Sequence, residues 1–428
     1  MQSRLLVRGA RQLLTLRGSA GPRRGAELNE LSIIENGALL VEGDRIAAVG
    51  PASRVENLAK AKGAIELDVQ GRIVLPGFVD CHTHLLYGAP RLDDFSMRIA
   101  GKDYEEIARE GGGILSTVRR VRSMSTLRLR EQARRELERM ARCGTTTVEA
   151  KSGYALEEEG ELRCLRILQS LDGEPVSVIP TFLGAHAVPP EFSGDADAWI
   201  DHLNAEILPA VARKKLARFA DVYCDRNAFS LPQARRYLEA ARRLGFELRI
   251  HAAQFQDVGA AALAAEMGAR SADHLEHINR VSISVLARSR TVAVLLPGSV
   301  YFLGSSRYAP ARALIEAGAA VALATDYNPG TSPVWNMQMI LSLACTQMRM
   351  TPAEAISAAT VNGAHALGIG GRTGSLEAGK QADFLILDAS DYRELAYYIG
   401  ANLVRATFKN GKLLEFPAEG DNHGKTAG

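Results

Sequence analysis

Two histidines one residue apart, His82 and His84, end the short apolar stretch Leu75-Pro-Gly-Phe-Val-Asp-Cys-His-Thr-His84. In extended backbone, side chains two residues apart point to the same side. Both imidazoles can therefore reach one point, and neutral imidazole is the commonest protein metal ligand. Taken alone, the pattern is short enough to be a strand end with two solvated histidines. Whether it is more depends on what else recurs at equivalent places along the chain.

From residue 75 onward, short apolar runs alternate with amphipathic helical runs, the pattern of βα units around a parallel sheet. Eight strands are predicted, at 77–81, 145–150, 176–182, 220–223, 247–250, 271–274, 292–296 and 320–325. Eight units fit an α/β fold of the (β/α)8 barrel type, with an open doubly wound sheet as the alternative, because periodicity does not register closure. Chemistry in such barrels sits at the C-terminal ends of the strands. Those ends carry His82 and His84, then Glu149-Ala-Lys-Ser-Gly-Tyr154, His186, His251, Asp273-His274 and Asp326. Of nine histidines, five fall there, which chance placement explains poorly. His202, His277, His365 and His423 are read as surface or packing residues.

Three histidines and one carboxylate with room for water are the makings of a hydrolytic metal centre. The expected ligands are His82, His84, His251 and Asp326, around a cation that acidifies water and polarises a carbonyl. Asp326 can take the proton of the attacking water and pass it to a leaving nitrogen. His274 would orient the water and His186 would hydrogen-bond the substrate.

The elements that must hold these groups are legible in part. A helix over 126–142 is expected to turn Leu127, Leu137 and Ala141 inward before Gly144. A second, over 231–244, groups Ala234, Tyr237, Leu238 and Ala241 on one face. A third starts at the capping box Thr351-Pro-Ala-Glu354 and runs to about residue 367. Both chain ends read instead as short strands with turn residues. The economical arrangement is a small β-sandwich assembled from 1–74 and 370–428, flanking a barrel of 75–369. The first 26 residues hold arginines and no acidic residue, as a transit peptide would. Yet 5–7 and 13–16 look like two strands around a Gly9-Ala turn, which favours mature sequence.

Composition narrows the partners. Lysine and arginine total 51 against 49 acidic residues, a formal charge of +2, and this gives no support to a nucleic-acid or membrane-surface partner. No apolar run reaches the length of a membrane span. The five cysteines are scattered without a Cys-x-x-Cys pair, which argues for a reducing compartment and against a disulfide framework or thiolate zinc site. Cys81 points away from the neighbouring histidines and reads as core.

The run Pro76-Gly-Phe-Val-Asp-Cys-His-Thr-His84, a histidine ending the fifth strand and an aspartate after the eighth resemble the amidohydrolase superfamily. Further stretches are similar to the imidazolonepropionase family of histidine degradation. They include Gly111-Gly-Gly-Ile114, Lys151-Ser-Gly-Tyr154, Thr181-Phe-Leu-Gly-Ala-His186, Ser271-Ala-Asp-His274 and Asp326-Tyr-Asn-Pro-Gly-Thr331. The resemblance covers nearly the whole chain and includes the split sandwich. It implies hydrolysis of the cyclic amide of 4-imidazolone-5-propanoate to N-formimidoyl-L-glutamate, by a cytoplasmic homodimer holding one divalent metal per chain, zinc or iron. It implies substrate contacts from Arg91, Tyr154, His186, Gln254, Asn328, Gly330 and Thr331. Gln254 departs from relatives with glutamate there; an amide cannot shuttle protons, so it should orient substrate. Arg91 suits a propanoate arm, because guanidinium grips carboxylate through two parallel hydrogen bonds.

Other cyclic amidases resemble two-metal centres bridged by a carboxylated lysine after the fourth strand. Residues 220–225 hold no lysine, so one metal is expected. Gln254 weakens a ring-deaminase reading, and the intact ligand set argues against a non-catalytic binding module.

Overall fold

The computed structural model describes residues 3–102, 104–192, 194–226 and 228–416. His423 and the last part of the expected composite domain lie outside the described residues. All eight expected barrel strands form: β6 (Phe78–Asp80), β7 (Thr145–Lys151), β8 (Ser177–Ala185), β9 (Phe219–Cys224), β10 (Glu247–Ala252), β11 (Ser271–His274), β12 (Val292–Leu295) and β13 (Val321–Leu323). They pair in chain order, parallel throughout. The ring closes just past β6 and β13. There Thr83 bridges Tyr327, the Asp326 N–H donates to the His82 carbonyl at 3.1 Å, and the His84 N–H donates to the Tyr327 carbonyl at 2.8 Å. This closing seam holds three of the four expected metal ligands against one another by backbone alone.

The two ends build the second unit, a small β-sandwich whose strands form one mixed ladder. Before the barrel come β1 (Arg4–Leu14), β2 (Ile33–Glu42), β3 (Arg45–Pro51), β4 (Ile65–Asp68) and β5 (Ile73–Pro76); after it come β14 (Phe384–Leu387), β15 (Val404–Lys409) and β16 (Lys412–Leu413). The order is β16-β15-β14-β5-β1-β2-β3, with β4 also on β1. β5 pairs with β14 on one side and β1 on the other, so the last strand before the barrel is locked between the two chain ends. Val7, Leu13, Val74, Phe384 and Phe408 form its core, with the two phenylalanine rings stacked at 4.3 Å.

The arginine-rich start differs from expectation. It is one strand, β1, and not two around a turn. The ladder slips between Val7 and Ala10, where Gly9 takes φ +74° beside Asp68. A bulge with glycine in the left-handed region adds a residue without ending the strand. Leu127 is a second correction. The helix Thr126–Arg142 forms as expected and buries Leu129, Ala133, Leu137, Met140 and Ala141, but Leu127 is 69% exposed. It precedes Leu129 by two residues, about 200° around the helix. The helix Leu231–Arg243 buries its expected face, and the capping box of Thr351 and Glu354 is in place. Among the described residues no helix is long and apolar enough to cross a membrane.

Candidate active site

His82, His84, His251, His274 and Asp326 converge on one point at the C-terminal end of the barrel. Two triads, His82–His251–His274 and His82–His84–Asp326, each place their ligand atoms within 4.8 Å of one another. Asp326 Oδ1 lies 3.6 Å from His82 Nε2 and 3.5 Å from His84 Nε2, and the Nε2 atoms of His84 and His251 are 3.5 Å apart. His82 meets Asp273 Oδ2 through Nδ1 at 2.6 Å, and His251 meets Asp221 Oδ1 through Nδ1 at 3.1 Å. A carboxylate accepts only, so both rings carry their proton on Nδ1 and turn the Nε2 lone pair inward. His82 Nε2 is fully buried without a hydrogen-bond partner. Orphaned imidazole lone pairs beside a carboxylate fit a divalent cation.

Electrostatics point the same way. Burial, with Lys151 next, holds His82 well below the usual imidazole range; burial and then His186 do so for His84. Burial pushes His186 down to about 3. These rings are neutral and able to accept. His274 goes the other way: burial opposes its charge, but Glu276, 3.4 Å from its Nδ1, pushes it up to about 9. Burial raises Asp326 to about 7 against the pull of His274. His274 and Asp326 also take left-handed backbone, at φ +83° and +53°, a strained conformation for residues with side chains.

A cavity of about 400 Å³ opens over this cluster, lined by every residue expected at the site except His82, which lies beneath it, and Gly330. Arg91 is buried on its wall. Its Nε donates to Thr117 Oγ1 at 2.8 Å, and its Nη2 is buried without a partner. Gly330 lies behind it, where a Cβ would come within 2.4 Å of Arg91 Nη1. Glycine thus leaves room for the guanidinium, while the Gly330 carbonyl accepts from Arg98 at 2.9 Å. Asn328 is spent largely inside its own loop. Its Oδ1 accepts the N–H groups of Gly330 and Thr331, and its Nδ2 donates to the Asp326 carbonyl at 2.7 Å. Its amide shapes the turn that carries Asp326. Gln254 is anchored by the Tyr223 hydroxyl on its Oε1 at 2.9 Å and by Asp225 on its backbone N–H at 2.7 Å. The His186 Nδ1–H donates to the Gly153 carbonyl at 2.9 Å, leaving Nε2 as an acceptor.

Five lining residues were not expected at the site: Ile114, named only within a family stretch, Tyr223, Arg226, Phe255 and His277. Tyr223 ends the expected fourth strand, so the strand-end rule could have found it. Arg226 and Phe255 sit on loops with no periodic signal. His277 corrects the surface-or-packing reading, since it lines the cavity and its Nδ1 lies 2.8 Å from the Gln254 carbonyl. His202 does pack, against the rings of Phe192 and Trp199.

A profile of the amidohydrolase family matches residues 73–414. The chain is 50% identical over 406 residues to an imidazolonepropionase of Solibacter usitatus, covering 94% of this chain and 97% of that one. It is 49% identical over 412 residues to an imidazolonepropionase of Rubrobacter xylanophilus, covering 96% and 98%. Among solved structures it is similar to a guanine deaminase of C. acetobutylicum with bound guanine, at TM-score 0.71 and 16% identity over 96% of this chain and 100% of that one. It is also similar to an adenosine deaminase of Xanthomonas campestris with bound zinc, at TM-score 0.67 and 19% identity over 96% and 92%. At these identities the likeness to solved structures is one of fold.

Proposed function

The chain belongs to the amidohydrolase family and, within it, to the imidazolonepropionases, and on that footing we propose that it opens the cyclic amide of 4-imidazolone-5-propanoate. Water adds at the ring carbonyl, the carbon–nitrogen bond breaks, and N-formimidoyl-L-glutamate leaves. The observation that carries this reading is Arg91. A buried guanidinium with an unpartnered Nη2 shares one cavity with a cluster of histidines, His84 and His186 held neutral among them, and a carboxylate. An anionic arm meeting the first places a ring over the second.

In this reading His82, His84, His251 and Asp326 hold one divalent cation, a set of imidazoles with one carboxylate that suits zinc or iron. When bound, the cation supplies Lewis acidity that acidifies water and polarises the ring carbonyl. Asp326 takes the proton of the attacking water and returns it to the ring nitrogen as the bond breaks. His274, held by Glu276, orients that water. His186 Nε2, an acceptor in a ring that stays neutral, meets a ring N–H. Arg91 holds the propanoate, and Tyr154, Gln254 and the loop of Asn328, Gly330 and Thr331 close around the ring. The catalytic unit is 75–369, with 1–74 and 370–428 as its flanking sandwich, and the assembly is a cytoplasmic homodimer.

The test is direct. Incubation with 4-imidazolone-5-propanoate should yield formimidoylglutamate, while hydantoin and dihydroorotate stay intact. Turnover of either control in preference to the imidazolone contradicts the proposal.

A further inference from the structure

Beneath the histidine cluster lies a layer of charge in which no side chain reaches solvent: Glu149, Lys151, Asp221, Arg249 and Asp273, each 0% exposed. It runs in two arms. Lys151 Nζ sits 2.8 Å from Glu149 Oε1 and 2.9 Å from Asp221 Oδ2, and Asp221 Oδ1 meets His251 Nδ1. Arg249 Nη2 sits 2.9 Å from Asp273 Oδ2, which meets His82 Nδ1. Glu149 joins the arms, with its Oε1 3.9 Å from Arg249 Nε and its Oε2 accepting the N–H of Thr83, between the two histidines of the motif. Three carboxylates against two cations leave one negative charge in excess, facing the histidines.

We infer that Lys151 is a positioning residue which, through Asp221, fixes the tautomer of His251. An ammonium only donates and a carboxylate only accepts. Lys151 therefore holds one oxygen of Asp221 by charge, at 2.9 Å but without the alignment of a hydrogen bond, and leaves the other for the Nδ1–H of His251, so the Nε2 lone pair faces the cavity. No role in holding or converting substrate is needed. The order of these groups also makes a neutral isostere behave in a particular way. In Asp221→Asn, Lys151 can bind only the amide oxygen, which turns the amide NH2 toward His251. Nδ1 must then accept, the ring proton moves to Nε2, and the lone pair is lost from the cluster. Removing the lysine as well, in Lys151→Met with Asp221→Asn, frees the amide to turn round and accept from Nδ1–H again. That double variant also restores the single excess negative charge of the native layer.

The inference rests on reading the cluster as a cation site, and the experiment separates the two. Affinity for Co2+ and Zn2+ is measured by competition with a chromophoric chelator on chelator-stripped protein. Asp221→Asn should bind roughly ten- to a hundredfold more weakly than the parent, and the double variant should recover most of that loss. A single variant that binds as the parent does, or a double variant no better than the single, overturns the inference. A parent that binds neither ion overturns the cation site itself. Should the variants fail to fold, the parent suffices. With 15N-labelled histidine, the nitrogen shifts of stripped protein should show His251 protonated on Nδ1, and protonation on Nε2 overturns the inference without reference to metal.

Discussion

Two buried ion-pair systems, one in each unit, show what separates structure from chemistry in this chain. In the sandwich, Lys409 Nζ lies 2.8 Å from Asp383 Oδ2, the Thr373 hydroxyl reaches the same oxygen, and the Asn410 N–H donates to Oδ1. Both carboxylate oxygens are satisfied and the charges cancel. In the barrel floor the charges do not cancel, and the carboxylates of Asp221 and Asp273 point at histidines whose far nitrogens turn into one cluster. A closed pair locks two strands together; an open one hands its surplus on to whatever binds above. Both are buried, so burial does not distinguish them. Balance does.

Breaking the cluster that the open system supports should cost function, and the largest effect is expected at Asp326. Asp326→Asn keeps size and one coordinating oxygen but removes the proton acceptor. Turnover should fall about a hundredfold or more with bound metal at least partly kept, as steady-state rates paired with metal content would show. Activity within a few-fold of the parent at matched metal would contradict the base role of Asp326.

Arg91→Met comes next. It keeps an apolar stem and deletes the fork, and a charge-assisted hydrogen bond is worth roughly 1.5–3 kcal/mol. The efficiency kcat/KM on the imidazolone should drop at least about tenfold, with metal content unchanged and a much smaller loss on an imidazolone without the carboxylate. Equal losses on both would make Arg91 a prop for its loop.

Breaking the closed system should cost stability alone. Lys409→Met leaves Asp383 buried and unpaired, which costs about 3–5 kcal/mol. Denaturant unfolding should register that loss while turnover per folded molecule stays at the parent level. A change in KM would mean that the sandwich pair reaches the site after all.

The smallest contrast lies on one helix. Leu137→Ala should cost about 2–5 kcal/mol, whereas Leu127→Ala, on the solvent side, should stay within about 0.5 kcal/mol. Comparable costs would place the buried stripe elsewhere.

This difference also explains what the sequence reveals. The barrel strands are buried on both faces, so they read as apolar runs between helical periods, and all eight were legible. The candidate site was legible because His82, His84, His186, His251, His274 and Asp326 are reactive types placed where strands end. The floor was not. Glu149 and Lys151 read only as a strand end, while Asp221 and Arg249 stand inside strands, where charge ordinarily signals solvent, and the pairings that join them run between different strands. No local pattern pairs Arg249 with Asp273, or tells a bulge at Gly9 from a turn. His277 escaped for a related reason: its role depends on a contact with the backbone of residue 254, which has no sequence signature.

The central claim is that the unbalanced floor and its histidines serve a single divalent cation on which ring opening depends. Elemental analysis of protein purified without added metal, read beside turnover of 4-imidazolone-5-propanoate by the same samples, tests it most directly. One equivalent of zinc or iron per chain is predicted, with turnover lost as a chelator removes it and regained as it is restored. Two tightly held equivalents per chain, or full turnover from protein with none, would contradict the account.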